Sequence, residues 1–306
     1  MPLEPVDKVW MNGELVDWAA AQVHVLTHAL HYGTGVFEGI RCYETAGGPA
    51  VFRLGDHLRR LEQSAKIFLM QLPYSVADLR RATMDLIRAN GLRSCYVRPI
   101  AYRGFGELGV NPEPCPIDVS IAAWPWGAYL GEEALSRGVR MTISSWRRHE
   151  ANSIPPQAKA TGAYVNAAIA KLEALHAGYD EAIMLSPEGY VSEASGENLF
   201  IVKEGEILTP PLASGPLAGV TRSSVMTLAR DLGMPICERV LTRADLYTSE
   251  EMFCCGTAAE VTPVREVDER VLGDPGPITR RLQERFFAVV KGEDEKYLDW
   301  LEMVDG

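Results

Sequence analysis

Alternation of apolar and polar positions dominates the first fifty residues. "KVWMNGELVDW" (8–18) sets two alternating runs on either side of Asn12-Gly13, a pair that accepts the positive φ values of a tight turn, and predicts a hairpin. "VFEGIRCYETAGGPAVFRL" (36–54) repeats the pattern around Gly47-Gly48 and predicts a second one. The period then lengthens. From about Asp56, an N-cap residue type, Leu58, Leu61, Ala65, Phe68 and Leu69 recur at helical spacing and predict one apolar face. Ser75 and Asp78 form a capping-box variant at the start of a second helix, with Val76, Leu79, Thr83, Leu86 and Ile87 turned inward. Strands near 95–103 and 117–124 complete an α/β unit.

Residues 122–138, "AAWPWGAYLGEEALSRG", mix proline, glycine and charge without a period and predict a connection. Beyond Val139, strand-like runs at 139–146, 181–185, 189–193, 198–202, 251–254 and 259–265 are interspersed with helical patterns near 163–177, 221–232 and 277–291. The expected organisation is a small α/β domain over 1–124, a connecting loop over 125–138 and a larger domain over 139–306. The fold class is mixed α/β (α+β), and the larger domain lacks the regular repeat of a doubly wound sheet.

Composition agrees with that size. A chain of 306 residues with 47% hydrophobic content can bury a large core, and its length favours two domains. Lys and Arg number 30 against 41 Asp and Glu, a formal charge of −11, and no basic run stands out, which argues against a nucleic-acid partner. The start "MPLEPVDKVW" lacks a basic segment followed by an apolar one, and no stretch approaches about twenty apolar residues, so neither secretion nor a membrane is expected. The expected location is the cytoplasm. The six cysteines, Cys42, Cys95, Cys115, Cys237, Cys254 and Cys255, show no C-x-x-C pair and read as reduced, buried small hydrophobes.

Against this background a few polar positions could carry chemistry. "SIPPQAKATGAYVNAA" (153–168) displays Lys159 between the stiff Pro155-Pro156 pair and Gly162. A lysine in such a loop is ordinarily a solvated charge; desolvated, it becomes a nucleophile. Glu193, at a strand end before Ser195-Gly196, is either another solvated acid or a carboxylate able to keep a ring nitrogen protonated. Gly219-Val220-Thr221 leads into a helix whose free N–H groups could hold a phosphate smaller than a nucleotide, although every helix has such an end. Gly256-Thr257-Ala258 joins two apolar strands and could turn successive N–H groups toward an anion. Arg59 could be merely the polar face of its helix. His24, His28 and His31 would share a face if their segment were helical, which suggests a metal-ligand row. No cysteine is near and no H-E-x-x-H motif occurs, so packing and hydrogen bonding are the expected use.

Taken together, "HYGTGVFEGIR", "LGDHLRRL", "YVRPIAYRGFGELGVNP", "WPWGAYLG", "KATGAYVNAAIA", "YVSEASGENLFIV", "GPLAGVTR" and "CCGTAAEVTPV" resemble the class IV aminotransferases, in particular the bacterial branched-chain branch. The resemblance runs in order over nearly the whole chain. It implies a two-domain, fold type IV pyridoxal-phosphate enzyme, similar to D-amino acid aminotransferase. It also implies that Lys159 bonds covalently to pyridoxal 5′-phosphate and moves the α-proton. By the same resemblance Glu193 pairs with the ring nitrogen, Tyr164 lies at the ring hydroxyl, and Arg59, Val220, Thr221 and Thr257 hold the phosphate. Tyr32, Phe37, Val110, Trp126 and Tyr129 match the substrate side-chain pocket. Tyr96, Thr257 and Ala258 match the α-carboxylate site, and Arg98 matches the group that reaches a distal carboxylate. The implied reaction is ping-pong transamination between leucine, isoleucine or valine and 2-oxoglutarate, in a homodimer or larger homo-oligomer whose neighbouring subunit lends Tyr32 and Val110. D-amino acid aminotransferase and aminodeoxychorismate lyase share the equivalent lysine and stand as alternatives, and a histidine-dependent metalloenzyme is the alternative of a different class. The loop "RGFGELGVNPEPCP" is glycine-rich, and the C-x-x-C of some mammalian relatives is absent, so no thiol switch is expected.

Overall fold

Asn12 and Gly13 turn the first hairpin with φ of 47° and 101°, joining β1 (Lys8–Met11) to β2 (Glu14–Asp17) in the register Met11↔Glu14. The computed structural model describes residues 3–127 and 130–305. After the hairpin come α1 (His28–Tyr32), β3 (Gly35–Phe37), β4 (Ile40–Thr45), β5 (Gly48–Phe52), α2 (Leu54–Ile67), α3 (Val76–Ala89), β6 (Cys95–Arg103) and β7 (Ile117–Pro125). Then follow α4 (Glu132–Arg137), β8 (Val139–Ile143), α5 (Tyr164–His176), β9 (Glu181–Leu185), β10 (Val191–Ala194), β11 (Asn198–Lys203) and β12 (Glu206–Thr209). The chain ends with α6 (Val220–Asp231), β13 (Ile236–Glu238), α7 (Arg243–Tyr247), β14 (Glu251–Gly256), β15 (Glu260–Val267), β16 (Arg270–Val271), α8 (Pro277–Val290) and β17 (Leu301–Met303).

Two compact units result. The first comprises residues up to 127 together with 158–162 and 289 onward; the second comprises 130–157 and 163–288. The expected division ran continuously along the chain. In the structure β17 returns to pair with β5 (Leu301↔Phe52), and the five residues around Lys159 pack with the first unit. Of the stretch expected to be a bare connection, residues 122–125 finish β7 and 132–137 form α4.

The first unit is an antiparallel sheet in the order β17-β5-β4-β6-β7-β1-β2, with β3 pairing β6. Successive side chains of a strand point to opposite faces. Val97, Ala101, Val119, Ile121 and Ala123 therefore enter the core with Leu58, Leu61, Leu86 and Ile87 of α2 and α3. Each fully buried leucine or isoleucine there contributes about 1.5–3 kcal/mol relative to exposure. Tyr96, Arg98 and Trp124, the alternate positions, line the other face, with Tyr96 opposite Trp124. The Ser75–Asp78 capping box forms as expected, each side chain accepting the other residue's N–H.

Two details of α2 differ from expectation. The helix begins at Leu54, because Arg53 takes a left-handed φ of 49° on leaving β5; Asp56 sits inside the first turn and accepts from Arg53 Nε at 2.6 Å. At the other end Leu69, expected on the buried face, has φ 51° and is 87% exposed. That left-handed residue reverses the chain, and Met70 fills the core in its place.

The second unit is a mixed sheet in the order β10-β9-β8-β15-β14-β11-β12-β13, with β16 on β15. β8 and β9 are parallel and joined through α5, and β12 and β13 are parallel and joined through α6; the two crossovers lie apart in the sheet and do not form a continuous repeat. β8 ends at Ile143, short of the expected 146, where Ser144 and Ser145 give their hydroxyls to Glu173. Five of the six cysteines are buried, Cys237 is half-buried, and all six thiols are free. Among the described residues no helix is long and apolar enough to cross a membrane.

Candidate functional site

Both backbone groups of Lys159 are tied down. Its N–H donates to Ser64 Oγ at 3.1 Å and its carbonyl accepts the N–H of Phe37 at 3.0 Å. Ala160 bridges to Val36, and Thr161 Oγ1 donates to the carbonyl of Gly33 at 2.9 Å. Gly162 N–H reaches the same carbonyl at 3.2 Å. This crossing needs glycine: Gly33 has φ 64°, and a Cβ on it would lie 2.7 Å from Gly162 Cα. Lys159 is thus half-buried on a segment held at four consecutive residues, which cuts the entropy lost on positioning its amine.

Around that amine stand aromatic rings and a guanidinium. Lys159 Nζ lies 5.1 Å from the Phe37 ring centre, and Arg98 Cζ lies 4.8 Å from the same ring and 5.2 Å from that of Tyr96. Arg98 Nη2 donates to Tyr96 Oη at 3.3 Å. Tyr96 packs on Trp126 and Trp124 with ring centres 5.0 and 5.3 Å apart. Gly39 leaves the room Tyr96 needs, because a Cβ there would fall 1.9 Å from its hydroxyl. Such a wall can take apolar substituents while offering a cation and a hydroxyl to a carboxylate.

The first unit also holds a buried charge cluster. Arg60 Nε and Nη2 donate to the two Glu38 carboxylate oxygens at 2.6 and 2.8 Å, and His57 Nδ1 stands 2.8 Å from Glu38 Oε2. Burial pushes the Glu38 carboxyl up, but the charges and hydrogen bonds of Arg60 and His57 outweigh it and hold the group far below the usual carboxylate range. Burial drives His57 the other way, to a lowered proton affinity, despite its bond to Glu38.

The second unit carries a carboxylate and two turns. Glu193, buried on β10, meets Arg148 Nη2 at 2.8 Å and accepts the Leu217 N–H at 3.0 Å. Asn198 Nδ2 spans from Glu193 Oε2, at 3.4 Å, to the Leu217 carbonyl, at 2.9 Å. The Asn198 amide also crowds Gly219, where a Cβ would fall 2.1 Å from Oδ1. Gly219 precedes α6, whose first turn has no side-chain cap and no acidic residue, and Val220 and Thr221 are buried there. An uncapped N-terminus with a buried hydroxyl suits a phosphate. Asn198 pairs with Cys255, which brings the start of β11 beside the Gly256-Thr257 turn; Thr257 and Ala258 are half-buried in it.

Of the residues singled out in the sequence, Lys159, Phe37, Tyr96, Arg98 and Trp126 come together in the first unit. Glu193, Val220 and Thr221 are linked through Asn198 and Leu217 in the second, with Thr257 and Ala258 on the neighbouring strand turn. Tyr164 is half-buried as the first residue of α5. Arg59 lies on the exposed face of α2, paired with Asp56. Tyr32 and Val110 are 45% and 86% exposed, and Tyr129 falls outside the described residues. The three histidines share no helix, since α1 begins at His28. His28 bonds Thr34 Oγ1 and the Gly109 carbonyl, each at 2.8 Å, and His31 bonds the Val25 carbonyl at 2.9 Å. Among the described residues no cluster of three or more His, Cys, Asp or Glu could hold a metal. Arg148, Asn198, Trp124 and the Glu38–His57–Arg60 cluster escaped the sequence reading. Asn198 lay inside the quoted run "SGENLF", but Arg148 in "WRRHE" carries no local signal.

The family model for amino-transferase class IV matches residues 35–267. The branched-chain-amino-acid aminotransferase of Salmonella typhimurium is 48% identical over 100% of both chains. The crystal structure of the Escherichia coli branched-chain amino acid aminotransferase superposes with a TM-score of 0.96 at 49% identity, covering 98% of this chain and 99% of that one. The branched-chain amino acid aminotransferase of Thermobaculum terrenum, solved in its PLP-form, gives a TM-score of 0.93 at 38% identity over 98% and 99% of the two chains. With a matching family model and full-length relatives of this identity, the chain belongs to the class IV aminotransferases, in the branched-chain-amino-acid aminotransferase family.

Proposed function

We propose that this protein transfers the amino group between the branched L-amino acids leucine, isoleucine and valine and 2-oxoglutarate, with pyridoxal 5′-phosphate as its cofactor. The observation that carries the reading is the Lys159 amine, held on a pinned segment beside the Phe37–Arg98–Tyr96 wall, in a chain of this family. The residues present fit the cofactor: a tethered amine for its aldehyde, a buried carboxylate for its ring nitrogen, and an uncapped helix start with a buried hydroxyl for its phosphate. Bound there, the cofactor supplies the electron-withdrawing ring that lets an α-proton leave.

Lys159 takes that proton from Cα and returns it at the other end of the reacting system, a transfer over a short distance that suits one flexible amine. Glu193, oriented by Arg148, Asn198 and the Leu217 N–H, would keep a proton on the ring nitrogen. Thr221, Thr257, the Val220 N–H and Arg59 would hold the phosphate, and Tyr164 would serve the ring hydroxyl. Arg98 and Tyr96 would donate to the carboxylates of the two unlike substrates, while Phe37 and Trp126 would exclude water from the apolar side chain.

A homodimer or larger homo-oligomer is part of the proposal. Val23, Val25, Leu26, Leu30 and Tyr32 are exposed along one stretch, next to an apolar groove of about 520 Å³ lined by Val9, Trp18, Leu30 and Tyr102. A patch of this kind is what a second copy would cover, bringing Tyr32 and Val110 to a neighbour's pocket. Six unpaired thiols accord with a reducing cytoplasm, and a net charge of −11 argues against nucleic acid.

Visible spectra of the purified protein before and after L-leucine test the reading, followed by glutamate formation with 2-oxoglutarate. A cofactor band that L-leucine discharges is expected, and Lys159→Ala should lose both that band and nearly all turnover. Turnover of D-alanine or aminodeoxychorismate in preference to L-leucine would overturn the substrate assignment.

A further inference from the structure

One imidazole holds two exposed pieces of the first unit. His28, the first residue of α1, is 0% exposed, and both of its ring nitrogens are engaged. Nε2 stands 2.8 Å from the Gly109 carbonyl, which can only accept, so that nitrogen carries a proton. Nδ1 stands 2.8 Å from Thr34 Oγ1, just before β3. The His28 backbone N–H donates to the Gly104 carbonyl at 3.2 Å. His28 thus clasps the loop that follows β6 at both Gly104 and Gly109. One turn further along α1, the Tyr32 ring lies 4.6 Å from the imidazole, centre to centre.

What His28 holds is not core. Tyr32 is 45% exposed, and Val110, next to Gly109, is 86% exposed. The loop between them contains Gly104, Gly106 and Gly109 and exposes Phe105 and Leu108. Such a segment has little apolar burial of its own to offset the entropy lost on ordering it. The two bonds to its carbonyls bury no apolar surface; they fix where Val110 stands relative to Tyr32. Pre-positioning of that kind lowers the entropy cost of any contact the two side chains later make.

We propose that His28 is a positioning residue for substrate binding: by holding Tyr32 through its ring and Val110 through the Gly109 carbonyl, it presents both side chains to a neighbouring copy of the chain as one preformed piece of pocket wall. The inference rests on the reading that Tyr32 and Val110 complete a neighbour's apolar pocket. His28 acts only through those two residues. Its loss weakens binding of the apolar side chain in the ground state and the transition state alike, which raises KM and spares kcat.

The test is steady-state kinetics of the holoenzyme, loaded with pyridoxal 5′-phosphate, on L-leucine and 2-oxoglutarate, with the size of each assembly followed by sedimentation. Four proteins are compared: the parent, His28→Ala, Tyr32→Ala/Val110→Ala and the triple variant. His28→Ala should raise the KM for L-leucine about five- to tenfold, with kcat changed less than about threefold and the assembly intact. In the Tyr32→Ala/Val110→Ala background the same substitution should add less than about a twofold rise, because what it positions is gone. A rise below about twofold in His28→Ala, or one above about twofold added in that background, overturns the proposal. A His28→Ala assembly that dissociates overturns it as well, since the histidine would then serve association and not the pocket. If His28→Ala does not fold, His28→Gln replaces it in both backgrounds. The Gln amide can still donate to the Gly109 carbonyl but offers no ring to Tyr32, so a KM rise of about two- to fivefold is expected, again lost without Tyr32 and Val110; a smaller rise, or one that persists, overturns the proposal. A parent-like KM in Tyr32→Ala/Val110→Ala sinks the neighbouring-pocket reading and this inference with it, whereas a raised KM there beside a parent-like KM in the His28 variant sinks this inference alone.

Discussion

Two carboxylates, Glu38 in the first unit and Glu197 in the second, are buried to 0% and 4% exposure, yet they hold their protons oppositely. Glu38 faces a bidentate arginine and an imidazole and stays ionised well below the ordinary range. Glu197 is pushed up to about 8, by burial first and then by the charge of Glu181. The nearby cation, Lys171, is engaged by Glu181 at 2.6 Å, and the Gly196 N–H is a weaker aid to Glu197. Burial therefore does not decide charge. The balance of nearby cations and acids does: a bidentate arginine faces Glu38, whereas the charge of Glu181 stands beside Glu197 and engages the nearby lysine.

The sharpest way to break the contrast is to remove the cation from the first site. Arg60→Met should cost about 3–5 kcal/mol in urea unfolding at neutral pH, because it strands a buried carboxylate. A loss below about 1 kcal/mol would mean that Glu38 is solvated after all. The second site should respond in the other direction. Glu197 has a folded-state value above its unfolded one, so its contribution is complete below about pH 4.5 and is lost as the pH rises through about 8. Glu197→Gln should match the parent near pH 5 and exceed it by about 1–3 kcal/mol above pH 8, measured by urea unfolding across that range. A parent with a flat profile between pH 5 and 9 contradicts the assignment. The smallest effect is the solvent control. Glu133 and Arg137 pair at 2.8 Å on α4 with side chains 74% and 66% exposed, and Arg137→Ala should change stability by no more than about 0.5 kcal/mol, less in high salt.

Much of the fold was legible because many of its elements repeat a local pattern. The strand expected near 95–103 is β6, and the capping box marks the start of α3. Arg53 and Leu69 were misjudged for one reason: each adopts a left-handed φ imposed by the neighbouring strand or turn, which no residue-type preference announces. Short elements such as β3, β13 and β17 carry too few residues for a period and exist because a partner strand is present. In the site, Lys159, Glu193 and the Gly219 turn stood out as unusual local chemistry. Arg148 lies 45 positions from Glu193, and Glu38 lies about twenty from His57 and Arg60, so nothing in either neighbourhood signals the pairing.

By itself the sequence determined the helices and strands with a clear period, the stiff proline-flanked segment that carries Lys159, and the family motifs. Tertiary structure alone decided that this segment packs with the first unit while its chain neighbours belong to the second, that Leu69 is exposed, and which buried acids are charged. The physical reason is one of range. Backbone preference and hydrophobic period act over a few residues, whereas desolvation and charge balance depend on whichever groups the fold brings within a few ångströms.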